Sequence, residues 1–119
     1  MQIDERLVDG IAILAISGDL NAHNIPDANE RLDAHLKTLR CRLVFNLSGL
    51  EIVTSTAIGF LVDAARRTRK LGGDSVVSEP TRLFQKTMDM LQAGEVFKTF
   101  PSDNEAVAYL LLGGKKEGS

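Results

Sequence analysis

Residues 42–59 read RLVFNLSGLEIVTSTAIG and carry signals for a strand, a turn and a helix start. The strand is predicted over Arg42–Leu47, because the run Leu43-Val44-Phe45 is typical of a central strand covered on both faces. Ser48-Gly49 predicts the turn that follows it. A helix is then predicted over Ser55–Leu71, whose apolar face recurs at helical spacing: Ala57, Leu61, Ala64 and Thr68. A buried strand followed by a helix indicates an α/β protein.

The part of the chain before this segment predicts a hairpin and a helix. Residues 11–16 are rich in β-branched side chains and favour a strand, and a weaker strand over residues 2–7 can pair with it. Asp9-Gly10 between them is typical of a tight hairpin turn. The helix is predicted to begin after Asn24 as its N-cap, with Pro26 in the first turn. Its apolar residues at helical spacing are Ile25, Ala28, Leu32, Leu36 and Leu39.

The part of the chain after the second helix predicts two more strands and two more helices. A short strand is expected over Ser75–Ser78, a helix over Thr81–Ala93 and an edge strand over Phe97–Phe100. The last helix is expected to begin at Ser102, because Ser102-Asp103-Asn104-Glu105 has the form of a capping box. The side chains expected to point inward from the third helix are Leu83, Phe84, Thr87 and Leu91.

The order of these elements predicts a single domain over residues 1–112. Helices and strands alternate after the first hairpin, so parallel neighbours joined by right-handed crossovers are expected. The fold class is therefore α/β, with a mixed sheet of four or five strands packed with helices. Residues 113–119 are expected to form a loose C-terminal tail.

Composition and charge exclude several classes of function. The net charge of -2 lacks the basic excess of a nucleic-acid-binding protein, and the cations at Arg66-Arg67 and Arg69-Lys70 suit the end of a helix. The single cysteine, Cys41, cannot form an internal disulfide, and no zinc-type spacing is present. The sequence contains no apolar run of about 20 residues and no signal peptide. We expect a soluble cytoplasmic protein without a metal, a cofactor, nucleic-acid binding or a membrane contact.

The histidines give little support for an enzyme. His23 and His35 have no acidic or cysteine partner at metal-binding spacing, so a structural role is expected for both. Asp19 with His23 is too small a set for a catalytic site. Gly72-Gly73 follows a helix and therefore differs from a phosphate-binding loop, which opens one. Independent catalysis is not predicted.

Three consecutive hydroxyl residues, Thr54-Ser55-Thr56, stand at the start of the second helix. Their simplest interpretation is a helix cap, but a cap needs only one side chain. The other two hydroxyls are then available for another purpose. In α/β proteins, the place where a loop leaves a strand and a helix begins is a common position for a ligand or partner site.

The same segment resembles the STAS family. The family motif, of the type Asp-Ser-Ser-Gly-Leu-Gly, corresponds here to Thr54-Ser55-Thr56-Ala57-Ile58-Gly59, with Thr54 in place of the acidic residue and Ala57 in place of glycine. The segment Ile16–Asn21 stands where the family has Gly-Glu-Leu-Asp, and Leu71-Gly72-Gly73 precedes the next strand as in the family. The order of elements agrees over nearly the whole chain, although only the central motif is specific.

The resemblance implies an anti-sigma factor antagonist. Such a protein, when unphosphorylated, binds an anti-sigma factor that is also a serine kinase, and phosphorylation ends the binding. The implied phosphoacceptor is Ser55, with Thr56 as the backup, and a serine phosphatase is a further expected partner. The residues expected to contact the partner lie at the helix start, along one stripe of the helix, and in the loop after Gly18: Thr54, Ser55, Thr56, Gly59, Val62, Arg66, Asp19 and Asn21.

Two alternatives remain open at this point. Within the same resemblance, the chain could be the small STAS subunit of a lipid-transport ATPase, which docks to an ATPase and is not primarily a phosphoswitch. From another class, it could be a small α/β enzyme or a nucleotide-binding domain. The enzyme or nucleotide-binding alternative lacks a convincing acid–base or metal-binding set of residues.

Overall fold

The computed structural model describes residues 1–113 and contains a mixed sheet in the strand order β1-β2-β3-β4-β5. Only β1 and β2 pair in antiparallel fashion, and the other neighbouring strands are parallel. The predicted α/β class and mixed sheet are confirmed. In chain order the elements are β1 (Gln2–Val8), β2 (Ile11–Asp19), α1 (Ile25–Lys37), β3 (Arg42–Ile52), α2 (Ser55–Lys70), β4 (Asp74–Ser78), α3 (Arg82–Met90), β5 (Thr99–Phe100) and α4 (Asp103–Leu111).

The hairpin between β1 and β2 turns at Asp9-Gly10, as predicted. Both residues have positive φ, 53° for Asp9 and 83° for Gly10. Two successive positive φ angles suit a two-residue turn whose twist matches the paired strands. The turn brings Val8 opposite Ile11 and sets the register of the whole hairpin, up to Gln2 opposite Ser17.

Strand β3 is central and longer than predicted. Its residues 43–47 are buried, as expected for a strand covered on both faces. The turn predicted at Ser48-Gly49 is wrong, because the strand continues to Ile52. Gly49 pairs with Ser17 at a register shift, and a Cβ on Gly49 would lie 2.7 Å from the Cβ of Ser17. The glycine therefore permits the close approach of two strands rather than a turn.

Each face of the sheet carries its own core. Helices α1, α2 and α3 cover one face, where Phe45, Leu61 and Phe84 belong to the larger cluster of buried side chains. The rings of Phe45 and Phe60 meet edge to face, with centroids 5.8 Å apart. Helix α4 covers the other face, where Val107 and Leu110 belong to the smaller cluster. Alternate side chains of β3 thus enter different cores, which explains its continuous apolar sequence.

Two helices differ from their predicted extent or orientation. Leu39 lies beyond α1 with a φ of 60° and is exposed, so its placement on the apolar face of α1 is wrong. Helix α3 ends at Met90, before the predicted Ala93. It buries Phe84 and Met88, whereas Leu83 and Leu91 are about half exposed and do not point inward as predicted. Phe84 and Met88 are the buried residues of this nine-residue helix, so only a narrow stripe of it faces the core.

The end of the described chain follows the capping box. The Ser102 hydroxyl accepts a hydrogen bond from the Glu105 backbone N–H at 3.2 Å, and α4 begins at the next residue. Apart from Gly113, the predicted tail lies outside the described residues. In residues 1–113, no helix has both the length and the apolar character needed to cross a membrane.

Candidate functional site

The two loops predicted to carry the site leave neighbouring parallel strands at the same edge of the sheet. Strand β2 ends at Asp19 and β3 ends at Ile52, and these two residues pair in the ladder. The loop that follows β2 leads into α1, and the loop that follows β3 leads into α2. The carboxyl ends of parallel strands are where α/β folds usually place their binding sites.

Thr54 joins the two loops. It is the N-cap of α2, and its Oγ1 accepts a hydrogen bond from the Ala57 backbone N–H at 3.0 Å. The same hydroxyl donates to the Leu20 carbonyl oxygen at 2.9 Å. One side chain thus stabilises the helix start and fixes the loop after β2 against it. The predicted grouping of the Asp19 segment with the start of α2 agrees with this arrangement.

The next two hydroxyls are left free by this cap. Ser55 is the first residue of α2 and is exposed, and Thr56 is partly buried. Within residues 1–113, neither hydroxyl forms a hydrogen bond. The prediction that one hydroxyl suffices for the cap is therefore confirmed, and the Ser55 hydroxyl can be reached by another molecule.

The loop after β2 is held by its own amide and carboxylate groups. Asn21 Nδ2 donates to Asp19 Oδ2 at 2.7 Å, and Asn24 Nδ2 donates to the Asp19 carbonyl at 2.9 Å. Asn24 is the N-cap residue of α1, as predicted, but its side chain accepts from the Asn21 backbone N–H and forms no side-chain cap. Asp19 and Asn21 are half-buried and shape the loop.

The predicted stripe on α2 is open to solvent at most of its positions. Ser55, Gly59 and Arg66 are exposed, whereas Val62 is partly buried against the larger core. A Cβ on Gly59 would meet no heavy atom within 4 Å, so packing inside the domain does not require a glycine there. Arg66 donates to Asp63 at 2.6 Å but remains largely exposed.

Two of the four basic residues at the end of α2 contact neighbouring elements. Arg67 donates to Asp33 of α1 at 2.6 Å, and Arg69 bonds both Asp74 and the Val96 carbonyl. These contacts dock α2 against its neighbours, whereas Arg66 and Lys70 remain exposed, as suits cations near the end of a helix. At the other end, the first turn of α2 contains no acidic residue.

Comparison with known proteins assigns the chain to a family. The sequence matches the STAS domain family over residues 2–106. The chain belongs to the STAS domain family. It is similar to the anti-sigma F factor antagonist of Paenibacillus polymyxa, with 24% identity over 110 residues that cover 91% of this chain and 92% of the relative.

Three solved structures show how closely this STAS domain follows the fold. An anti-sigma factor antagonist from Mycobacterium paratuberculosis aligns with a TM-score of 0.79 and 18% identity, covering 92% of this chain and 93% of the other. The anti-sigma factor antagonist SpoIIAA in its unphosphorylated form aligns with a TM-score of 0.78 and 14% identity, covering 98% and 100%. Its phosphorylated form, from Bacillus, aligns with a TM-score of 0.71 and 14% identity, covering 90% and 97%.

One exposed apolar residue of this STAS domain was missed by the sequence analysis. Ile52 is the last residue of β3 and stands three residues before Ser55, with about half of its surface exposed. The predicted strand stopped at Leu47, so residues 48–52 had no assigned direction. The register shifts between β2 and β3 also interrupt the alternation that would have revealed which side chains are buried.

A buried histidine holds α1 against the edge strand β1. His35 Nε2 lies 2.7 Å from Glu5 Oε1, and His35 Nδ1 lies 3.0 Å from the Arg40 guanidinium. Burial raises the pKa of Glu5, but hydrogen bonds from Arg31 and His35 outweigh it and hold that pKa below its usual value. His35 therefore has a structural place, in agreement with the expectation for it.

A second carboxylate ties α4 to the sheet. Asp103 accepts hydrogen bonds from Asn46 Nδ2 at 2.9 Å, from the Ser78 hydroxyl and from Arg6 at 2.8 Å. Burial raises the pKa of Asp103, but these donors outweigh it and hold the pKa below its usual value. Because each oxygen of the carboxylate already has partners from the strands, this cluster stabilises the fold and offers no open site.

Proposed function

We propose that this STAS domain is an anti-sigma factor antagonist that acts in the cytoplasm. In its unphosphorylated form it binds an anti-sigma factor of the serine-kinase type, and phosphorylation of Ser55 releases it. One observation carries the proposal: the Ser55 hydroxyl is exposed and unbonded at the start of α2, because Thr54 forms the cap. Thr56 is the backup acceptor, since it is partly buried.

The similar proteins support this role over the alternatives. The Paenibacillus relative and the proteins in the aligned structures are named anti-sigma factor antagonists, and one of these structures shows SpoIIAA in its phosphorylated form. No observation on this chain favours a transport subunit. The described residues also offer no group of three His, Cys, Asp or Glu side chains that could hold a metal ion. In the proposed role the kinase supplies ATP and this domain supplies only a hydroxyl, so the domain is not an enzyme.

The position of Ser55 suits a phosphate. A phosphoserine at the first residue of α2 would meet free backbone N–H groups and the positive end of the helix. Neither Thr54 nor the first turn of α2 contributes a carboxylate that would repel it. Since none of the Ser55 side chain is needed in the core, modification leaves the fold intact and changes only the surface.

The same phosphate would oppose a docked partner. It adds a charge of about -1.5 to -2, which the partner must desolvate or repel. Each loss of about 1.4 kcal/mol lowers affinity tenfold, so an unfavourable change of about 3 kcal/mol gives a response of about 100-fold. No rearrangement of the sheet is required for this switch.

The proposed contact surface combines both loops with α2. It includes Asp19 and Asn21 in the loop after β2, Thr54, Ser55 and Thr56 at the helix start, and the α2 stripe Gly59, Val62 and Arg66. The Thr54 bond to Leu20 supports this grouping, because it fixes the two loops in one arrangement before a partner arrives. A serine phosphatase would return the phosphorylated form to the binding-competent state.

The experiment that tests this function uses the purified serine-kinase-type anti-sigma factors of the host cell. Each is incubated with the protein and ATP, and the phosphate is located by mass spectrometry while affinity is measured before and after. We expect one phosphate on Ser55 and a loss of affinity of about 100-fold. A phosphate on Thr56 would move the acceptor by one residue. A phosphate placed only elsewhere, or one on Ser55 without effect on affinity, would refute the switch.

A further inference from the structure

Ile52 exposes 52% of its surface at the edge of the sheet that carries Ser55. We infer that Ile52 is the apolar anchor by which the anti-sigma factor holds this domain, through a pocket lined by apolar side chains beside its phosphoryl-transfer site. The inference rests on the proposed function and adds to it the chemistry of the contact. Ile52 contributes to the affinity for the partner, whereas phosphorylation of Ser55 ends the binding.

The exposure of Ile52 results from the course of β3. Leu47 and Leu50 of the same strand are buried in the larger core and Val53 packs against it, whereas Ile52, the last residue of β3, belongs to neither core. Its ladder partner is Asp19, so Ile52 lies between the Asp19–Asn21 loop and the start of α2. An exposed aliphatic residue thus has the polar Asp19 opposite it in the ladder and the polar Thr54 and Ser55 just after it in the chain, a combination that suits an apolar interface residue with a polar rim.

Ile52 lies close enough to Ser55 to fall within the same protein interface. Three residues of chain span at most about 10 Å, so Ile52 lies within about that distance of Ser55. A standard interface covers about 800 Å² on each protein, equivalent to a disc of about 16 Å radius. A kinase whose interface of this size is centred on the Ser55 hydroxyl therefore reaches Ile52 as well. Burying an exposed aliphatic side chain in an apolar pocket favours binding, whereas opposing it with polar groups would not.

The expected kinetic effect is specific. Ile52 does not touch the transferred phosphoryl group, so its contact is equally present in the bound substrate and in the transition state. Loss of such uniform binding raises KM and leaves kcat unchanged. A merely structural role would lower the amount of folded protein and would not separate KM from kcat in this way.

The chain contains a matched control for this residue. Leu7 exposes 55% of its surface on β1 and pairs with Ala12, at the opposite end of the sheet from the Asp19–Ile52 pair. Both residues are half-exposed aliphatic side chains in strands, but only Ile52 lies at the Ser55 edge. Ile52→Thr and Leu7→Thr therefore remove similar exposed apolar groups, and each leaves a β-branched side chain that strands accept.

The test measures the wild-type protein and both variants against the panel of purified serine-kinase-type anti-sigma factors, by calorimetry and by phosphorylation kinetics with ATP. For Ile52→Thr we expect Kd and KM about tenfold higher, with kcat within about twofold of wild type. Leu7→Thr should change neither constant. If Ile52→Thr does not fold, Ile52→Val should raise Kd about two- to threefold, because it removes one methylene group.

Three results would overturn the inference. The first is unchanged affinity of Ile52→Thr, or of Ile52→Val where the Thr variant does not fold. The second is an equal loss of affinity in Leu7→Thr. The third is a dimer of the free protein that Ile52→Thr dissociates, because that would assign the residue to self-association. Failure of the wild-type protein to bind any member of the panel is a different outcome: it refutes the proposed function, and the inference falls with it.

Discussion

Helices α2 and α3 begin in nearly the same way and end up in different roles. Thr54 and Thr81 are both N-caps with extended backbone, and each Oγ1 accepts from the backbone N–H three residues later at 3.0 Å. Thr54 also donates to the Leu20 carbonyl of the neighbouring loop. The two caps therefore satisfy the same local requirement, but only the cap of α2 also connects two loops.

The residues after each cap extend the difference. Thr54 is followed by Ser55-Thr56, with free hydroxyls, and Thr81 is followed by Arg82-Leu83. Five residues beyond the cap, α2 has an exposed glycine, Gly59, where α3 has the long side chain of an exposed lysine. Capping alone thus says little about function. What distinguishes the α2 start is a set of features that the fold itself does not require.

The largest effect is expected at Ser55. Ser55→Ala should abolish phosphate incorporation at this position and keep the affinity of the unphosphorylated protein within about twofold, because it removes only the hydroxyl. Ser55→Asp carries part of the phosphate charge and should weaken binding less than true phosphorylation does. Arg82→Ala, at the equivalent position of α3, is the control and should change neither property. Mass spectrometry and calorimetry give both readings, and full phosphorylation of Ser55→Ala at Thr56 would identify the backup acceptor.

The next effect is expected at Gly59. Gly59→Ala should raise the free energy of unfolding by about 0.5–1 kcal/mol, because glycine is unfavourable inside a helix and space is open there. The same variant should lower partner affinity several-fold, and Gly59→Arg should lower it at least tenfold, if a partner backbone approaches this position. Thermal unfolding and calorimetry separate the two effects.

Lys86→Ala gives the matched control for Gly59 on α3. It changes an exposed residue at the same distance from its cap and should leave partner affinity unchanged. A Gly59→Arg protein that folds and binds with full affinity would remove α2 from the proposed contact surface.

A smaller effect is expected at the two caps themselves. Thr54→Val and Thr81→Val should each lower the free energy of unfolding by about 1 kcal/mol through loss of the cap. Only Thr54→Val should also lower partner affinity, by a few-fold, because it frees the loop after β2 from α2. Thr54→Ser should keep both the stability and the partner affinity of the wild type, because the serine hydroxyl can accept from Ala57 and donate to Leu20. Thr54→Asp should keep the helix cap and its stability but lower partner affinity, since an ionised carboxylate cannot donate to the Leu20 carbonyl. Equal affinity losses for the Thr54 and Thr81 variants would contradict this distinction.

The smallest effect is expected at the start of α4, where a side chain stabilises the fold without a role in the contact. Asp103 has a folded-state pKa below its unfolded value of about 3.9. Its stabilisation is therefore present above that value and lost as the pH falls through the folded pKa. The free energy of unfolding should decline below about pH 5, and Asp103→Asn should flatten this decline.

Asp89→Asn, at an exposed carboxylate of α3, is the control for the acid-dependent unfolding. Neither Asn variant should change partner affinity at neutral pH. Chemical denaturation at several pH values measures the effect. If the free energy of unfolding of Asp103→Asn declines below about pH 5 as steeply as that of the wild type, other carboxylates cause the decline.

The sequence predicted those features that depend on local rules. The Asp9-Gly10 turn and the starts of α2 and α4 follow from residues that stand next to one another, and all three were placed correctly. Ser48-Gly49 was misread as a turn, because only the close approach of Ser17 across the sheet explains that glycine. Contacts between distant segments leave no local pattern.

The candidate site divides in the same way. The three consecutive hydroxyl residues indicated that Ser55 was not needed for the helix cap, and the resemblance to the STAS family implied that it is a phosphoacceptor. The bond from Thr54 to Leu20 joins residues 34 positions apart, and the exposure of Ile52 depends on how the end of β3 packs in the folded domain. Both require the folded chain, since a side chain three residues from a helix looks the same in sequence whether it is covered or open.

The antiparallel pairing of β1 has a practical consequence for attached sequences. Gln2 pairs with Ser17, and a Cβ on Gly18 would lie 3.4 Å from the Cα of Met1. A polypeptide joined ahead of Met1 would therefore leave the domain beside Asp19, at the edge that carries Ser55. Leu110, near the end of α4, shares a cluster with Ile11 at the start of β2, so α4 itself ends toward the opposite edge. A bulky amino-terminal fusion would therefore crowd the edge of the sheet that carries Ser55.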